Sequence, residues 1–193
     1  MIRKLSVDRR TLLTAASVGP VALLLGILGV QLSRGSGSSS IGVNSEPQHS
    51  YLRTRPVPNF DLTSFDGREL RLSDYRGRVV VLNFWASWCG PCRLEAPHLE
   101  DVHRRLAAEG LVVLGIDLWD DKAEAAGFIE EFGITYDNAP DATGGLAIEL
   151  GVIGIPETFI VDRKGVIVDH WIGPLTADKL ISLVDSLLAE SYQ

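Results

Sequence analysis

Hydrophobic and polar positions divide the chain into three stretches. From Thr11 to Ser33 there is no charged residue, a run of 23. Leu23, Leu24, Leu25, Ile27 and Leu28 form its most apolar part, and no polar face interrupts it. At about 1.5 Å per residue such a helix spans roughly 35 Å, enough for a bilayer core of about 30 Å. The pattern predicts a transmembrane anchor over residues 11–33. Arg3, Lys4, Arg9 and Arg10 precede it, so residues 1–10 are expected in the cytoplasm and the rest of the chain outside. A buried soluble helix would carry a polar face. A cleaved signal peptide would end in a small-x-small site, whereas this run ends Val30-Gln31-Leu32-Ser33. Arg9-Arg10-Thr11-Leu12-Leu13 also fits a twin-arginine export signal. These export readings lead to the same compartment.

Residues 34–55 show neither a helical nor an alternating pattern. Gly35-Ser36-Gly37-Ser38-Ser39-Ser40 opens them, and they read as a flexible linker with a mean reach of roughly 25 Å. His49 is expected to be solvated there.

From residue 56 the pattern alternates between strand and helix. Asn59–Leu62 and Glu69–Leu72 read as short strands around an Asp66-Gly67 turn. Val79–Phe84 is a continuous apolar run, the mark of a strand buried on both faces. A helix should follow from about Cys89 to Glu109, with Leu94, Leu99, Val102 and Leu106 facing inward and Gly110 ending it. Leu111–Asp117 reads as a second buried strand and Lys122–Phe132 as a helix closed by Gly133. A helical piece over Gly144–Leu150, a hairpin of Thr158–Val161 and Val166–Trp171, and a closing helix Thr176–Ala189 complete the chain. The expected fold class is α/β, a central mixed sheet flanked by helices, in one domain over residues 56–193. The βαβ alternation predicts mostly parallel strands, with the hairpin as an antiparallel edge.

Composition narrows the function classes. With 46% hydrophobic residues the chain can build a core, and with 2 Cys it carries no disulfide framework. The first 34 residues hold Arg3, Lys4, Arg9, Arg10 and Arg34 against Asp8. They are net positive by four, leaving −11 on the remainder of a chain of net charge −7. Nucleic acid is a poor partner for so acidic a domain.

Both cysteines fall in Trp88-Cys89-Gly90-Pro91-Cys92, between a buried strand and a helix start. Unpaired N–H groups and the positive dipole end of a first helical turn favour thiolate at Cys89, the attacking species in disulfide exchange. Cys92 lies one turn on, close enough to form a small disulfide and deeper in the domain. Pro91 suits the first turn because its missing N–H is not needed there. A zinc half-site would need further ligands. His98 and His103, five apart on one helix, are expected at the surface, so no metal is expected.

Asn83-Phe84-Trp85-Ala86-Ser87-Trp88-Cys89-Gly90-Pro91-Cys92 resembles the active-site stretch of the thioredoxin superfamily, and more narrowly its membrane-tethered TlpA/ResA/CcmG branch. The similarity extends over roughly Pro56–Ala189. Arg93-Leu94-Glu95-Ala96-Pro97 carries an acidic residue one turn after the second cysteine, as the branch does. Gly151-Val152-Ile153-Gly154-Ile155-Pro156-Glu157-Thr158-Phe159 resembles the branch's segment around a cis proline. The resemblance implies a cis Ile155–Pro156 bond, with the Ile155 N–H and C=O free to pair with an extended substrate. Thioredoxin's buried Asp is replaced here by Asn83, which leaves Glu95 as the group that could deprotonate Cys92, unless it is a solvated helix residue. Glu157 could lend charge nearby. Trp88 is expected to cover the disulfide and offer an apolar docking surface, whereas Trp119 and Trp171 suggest only packing.

The resemblance implies an extracytoplasmic thiol–disulfide oxidoreductase without cofactor. Its implied partners are disulfide-bearing exported proteins such as apocytochrome c, and a membrane thiol–electron carrier that recharges it. The alternatives are a peroxiredoxin-like peroxidase and a copper-handling redox module. Ala86 stands where the former carries Thr or Ser, and the two-residue cysteine spacing departs from the latter.

Overall fold

The computed structural model describes Leu23, Gly26 and residues 42–50 and 54–190. A compact unit runs from Ser40 to Gln193, and Met1–Ser39 forms a second unit. Residues 1–10 and, apart from Leu23 and Gly26, the expected anchor 11–33 lie outside the described residues. Among the described residues no helix is long and apolar enough to cross a membrane.

Among the described residues nine strands and four helices follow in chain order. They are β1 (Gln48–Ser50), β2 (Arg55–Pro56), β3 (Asp61–Thr63), β4 (Glu69–Arg71), β5 (Val79–Trp85), α1 (Gly90–Leu106), β6 (Leu111–Asp117), α2 (Lys122–Glu131), β7 (Asp137–Pro140), α3 (Gly145–Leu150), β8 (Glu157–Val161), β9 (Val166–Ile172) and α4 (Ala177–Ala189). The main sheet is ordered β1-β9-β8-β5-β6-β7, with β2 also on β9, while β3 and β4 form a separate ribbon. Among the described strands only the β5–β6 and β6–β7 pairs are parallel. The expected antiparallel edge is instead a central feature, because β8 pairs directly with β5 and carries β9 outward beyond it.

The core explains the order. Every residue of β5 is buried, as its unbroken apolar run requires. Phe84 meets Phe159 edge to face at a centroid distance of 5.9 Å, and Trp85 stacks on Phe128 at 4.3 Å. Helix α1 buries Cys92, Glu95, Ala96, Leu99, Glu100 and Val102. Leu94, expected inward, is exposed. Two positions from Cys92 is about 200° round a helix, so the stripe through Cys92, Glu95, Leu99 and Val102 leaves Leu94 on the far side. Gly110, at φ 103°, ends the short 3₁₀ turn that follows α1.

Strands β1, β2 and β7 were not expected. Asp137-Asn138-Ala139-Pro140 lacks strand-forming residues, yet its backbone pairs with β6. Asn138 explains part of this: its Oδ1 accepts from Trp85 Nε1 at 3.0 Å and its Nδ2 donates to Tyr136 O at 2.8 Å. The stretch read as flexible linker also differs from expectation. Residues 48–50 pair with β9, and His49 contacts Asp169 at 2.6 Å and the Trp171 ring.

Candidate active site

Strand β5 ends at Trp85, and α1 begins five residues later. Antiparallel pairing of Phe84 with Glu157 places the start of β8 at the same end of the sheet. Residues just before β8, Ile155 and Pro156, therefore lie at the end where the chain turns from β5 toward the cysteines. The Ile155–Pro156 bond is cis, as the resemblance implied.

Cys89 and Cys92 are joined in a disulfide. Cys89 is the N-cap of α1, and its Sγ accepts from Cys92 N at 3.2 Å. Gly90 and Pro91 fill the first helical positions. This N–H and the dipole of a helix of 17 residues act on the Cys89 sulfur together. Cys92 was expected to lie the deeper of the two, yet Cys89 is itself 0% exposed. The protein around it is closed.

Glu95 lies one turn beyond Cys92 and is 1% exposed, so it is no solvated helix residue. Its Oε1 accepts from Asn83 Nδ2 at 2.7 Å and its Oε2 from Leu175 N at 3.0 Å. Asn83 Nδ2 also donates to Thr158 Oγ1 at 3.1 Å. Burial pushes the Glu95 carboxyl up to about 8, and the two donors offset this only in part. A buried acid near neutrality thus shares a helix face with the second cysteine.

Glu157 is fully buried beside the cis proline. Its Oε1 accepts from Ile153 N and Gly154 N, both at 3.0 Å, and from Asn44 Nδ2 at 3.3 Å. Its Oε2 lies 2.9 Å from His170 Nε2. Glu157 therefore fixes the loop that precedes the cis bond.

Trp88 was expected beside the disulfide, whereas Trp119, Asp120 and Asp117 carry no functional signal in the sequence. Trp88 is 50% exposed and Trp119 59%. Trp88 Nε1 donates to Trp119 O at 3.2 Å, and Trp119 adopts a φ of 53°, unusual for a bulky residue. Both line an open cavity of about 600 Å³ with Arg93, Asp120 and Phe128. Asp120 accepts from Ser87 N at 2.5 Å and Ser87 Oγ at 2.9 Å, holding the turn before the cysteines. Behind it Asp117 is buried, and burial followed by the charge of Asp120 pushes its carboxyl up to about 8. His98 is exposed as expected, but His103 is half-buried against Tyr136, and burial lowers its pKa. Among the described residues no three His, Cys, Asp or Glu side chains gather as a metal site.

Comparison with known proteins agrees with this geometry. Residues 54–170 match the AhpC/TSA family. The chain belongs to that family. Curated relatives of the chain are named for disulfide chemistry. The thiol:disulfide interchange protein DsbE of Pseudomonas fluorescens biotype C is 36% identical over 180 residues, covering 90% of this chain and 96% of that one. The thiol-disulfide oxidoreductase ResA of Geobacillus thermodenitrificans is 32% identical over 131 residues, covering 68% and 75%. A crystal structure of a thiol:disulfide interchange protein of the thioredoxin family from Chlorobium tepidum superposes with a TM-score of 0.66. It is 25% identical, and the match covers 72% of this chain and all of that one. This AhpC/TSA-family protein has the thioredoxin-like fold and is a thiol–disulfide oxidoreductase.

Proposed function

We propose that the protein works outside the cytoplasmic membrane, tethered by residues 11–33, and reduces disulfides of exported proteins, apocytochrome c among them. Cys89 thiolate attacks a partner disulfide. One S–S bond breaks, a mixed disulfide forms, and the partner's released thiolate takes up a proton. Cys92 then yields its proton to the ionised form of Glu95 and, as thiolate, displaces the partner's second sulfur from Cys89. The partner gains two electrons, and the enzyme is left as the Cys89–Cys92 disulfide. A membrane thiol–electron carrier restores the dithiol.

The observation that carries this reading is a disulfide at a helix N-cap with a buried acid of pKa about 8 one turn above it. Such an acid is close to a free thiol of about 8.5, so a proton passes between them at little cost. Trp88 supplies apolar surface beside the sulfur. Ile155 and Pro156 form the edge on which an extended partner segment lies. A peroxidase would use a hydroxyl three residues before its nucleophile, and Ala86 has none.

The decisive experiment is a Cys92→Ser substitution in cells. Cys89 should then remain covalently bound to its partner, and identifying that partner names the substrate. If no protein is trapped on Cys89, the reductase reading falls.

A further inference from the structure

The backbone of Ile155 is already in use. Its N–H donates to Gly42 O at 2.8 Å, and its C=O accepts from Asn44 N at 2.6 Å. Val43 thereby forms a parallel bridge with Ile155. Asn44 Nδ2 adds bonds to Pro156 O at 3.2 Å and to Glu157 Oε1 at 3.3 Å. Two glycines make room for this segment. A Cβ on Gly154 would lie 2.9 Å from Asn44 Oδ1, and one on Gly173 would lie 2.5 Å from Glu46 O. Val43 packs against the core. Cys89 too has no exposed surface, and a sulfur without surface cannot meet a protein disulfide.

We propose that Gly42–Asn44 is a resident strap in the protein's own peptide-binding edge, and that a partner must displace it to reach Cys89. The proposal rests on the reading of Ile155 as the edge where an extended partner segment lies. The strap also shows what the edge takes: an uncharged segment that bridges parallel to Ile155, with an apolar residue at the place of Val43. The partner's segment and the strap compete for the same N–H and C=O, so the free enzyme is closed and partner binding opens it.

Two variants of the full chain test this from opposite sides. Asn44→Pro removes the N–H that the Ile155 carbonyl accepts. Gly154→Ala pushes a methyl group against the strap and leaves its hydrogen-bonding groups unchanged. Each net hydrogen bond is worth roughly a factor of two to ten in an equilibrium constant. Reduced Cys89 should therefore react with iodoacetamide about tenfold faster in either variant, measured in the Cys92→Ser background. A synthetic peptide of residues 40–47 should restore the slow rate in Asn44→Pro. A variant with the native melting temperature and the native rate overturns the proposal. Hydrogen exchange on the unmodified strap adds an independent arm. When the Cys92→Ser enzyme carries a disulfide-bearing peptide on Cys89, the Asn44 amide should lose protection while the Ile155 amide keeps it. Retained protection at Asn44 also overturns the strap. Failure of Cys89 to form any mixed disulfide would instead strike the reductase reading, so the two failures are distinct.

Discussion

Replacing Glu95 by Gln should flatten the dependence of stability on pH. Burial raises the Glu95 carboxyl from 4.5 to about 8 in the folded protein. Between those values the native state holds a proton that the unfolded chain has released. The stabilisation is complete below about pH 4.5 and is lost as pH rises toward 8. At about 1.4 kcal/mol per unit, the full shift is worth about 5 kcal/mol, most of it lost between pH 5 and pH 8. Against a total stability of roughly 5–15 kcal/mol this is a large fraction. Gln does not titrate. Its amide can accept from Leu175 N, but it turns an NH₂ toward Asn83, a pH-independent penalty of about 1 kcal/mol. Guanidinium unfolding of the oxidised protein at pH 5, 6, 7 and 8 reads both effects, with no free thiols to titrate. The wild type should lose stability steadily with pH, and the variant should lose much less. Asp117, also raised to about 8, adds a slope of the same sign to both proteins, so their difference isolates Glu95. Parallel profiles would show that the Glu95 carboxyl keeps its ordinary pKa in the folded state, too far below that of a thiol for the proton to pass at little cost.

Two other substitutions probe the same neighbourhood. Asn83→Ala removes the donor to the Glu95 carboxylate and should raise its pKa further, extending the falling limb of the stability profile above pH 8. Carboxyl carbon chemical shifts across a pH titration check this directly. Trp119→Gly frees a backbone held at positive φ and removes half of the exposed aromatic pair. Thermal unfolding should show stability unchanged or raised by up to about 1 kcal/mol. The KM for a protein disulfide should rise severalfold, with little change for glutathione disulfide.

The legible parts of the sequence were those where one physical requirement decides the residue type. Val79–Trp85 is buried on both faces, so its apolar run announces a central strand. Gly90 and Pro91 between two cysteines announce a helix start. The residues that escaped notice satisfy requirements set elsewhere in the fold. Gln48–Ser50 joins the sheet through backbone pairing and the polar contacts of His49, which leave no hydrophobic pattern. Asp137–Pro140 is held by its neighbours and by the Asn138 amide. Glu95 looks like a surface acid, and Leu94 like a core residue, until the helix phase is set by Cys92. Asp120 and Asn44 act by accepting from or donating to loops distant in sequence, and no local spacing reports that.

Glu157 gathers a loop, the segment around Asn44 and a strand onto one pair of oxygens, although it touches neither sulfur. Its Oε1 alone accepts from three N–H groups, so losing that one oxygen would release the loop and the segment around Asn44 together. A homologue could keep its Cys-Gly-Pro-Cys intact and still be disarmed by a change at this position.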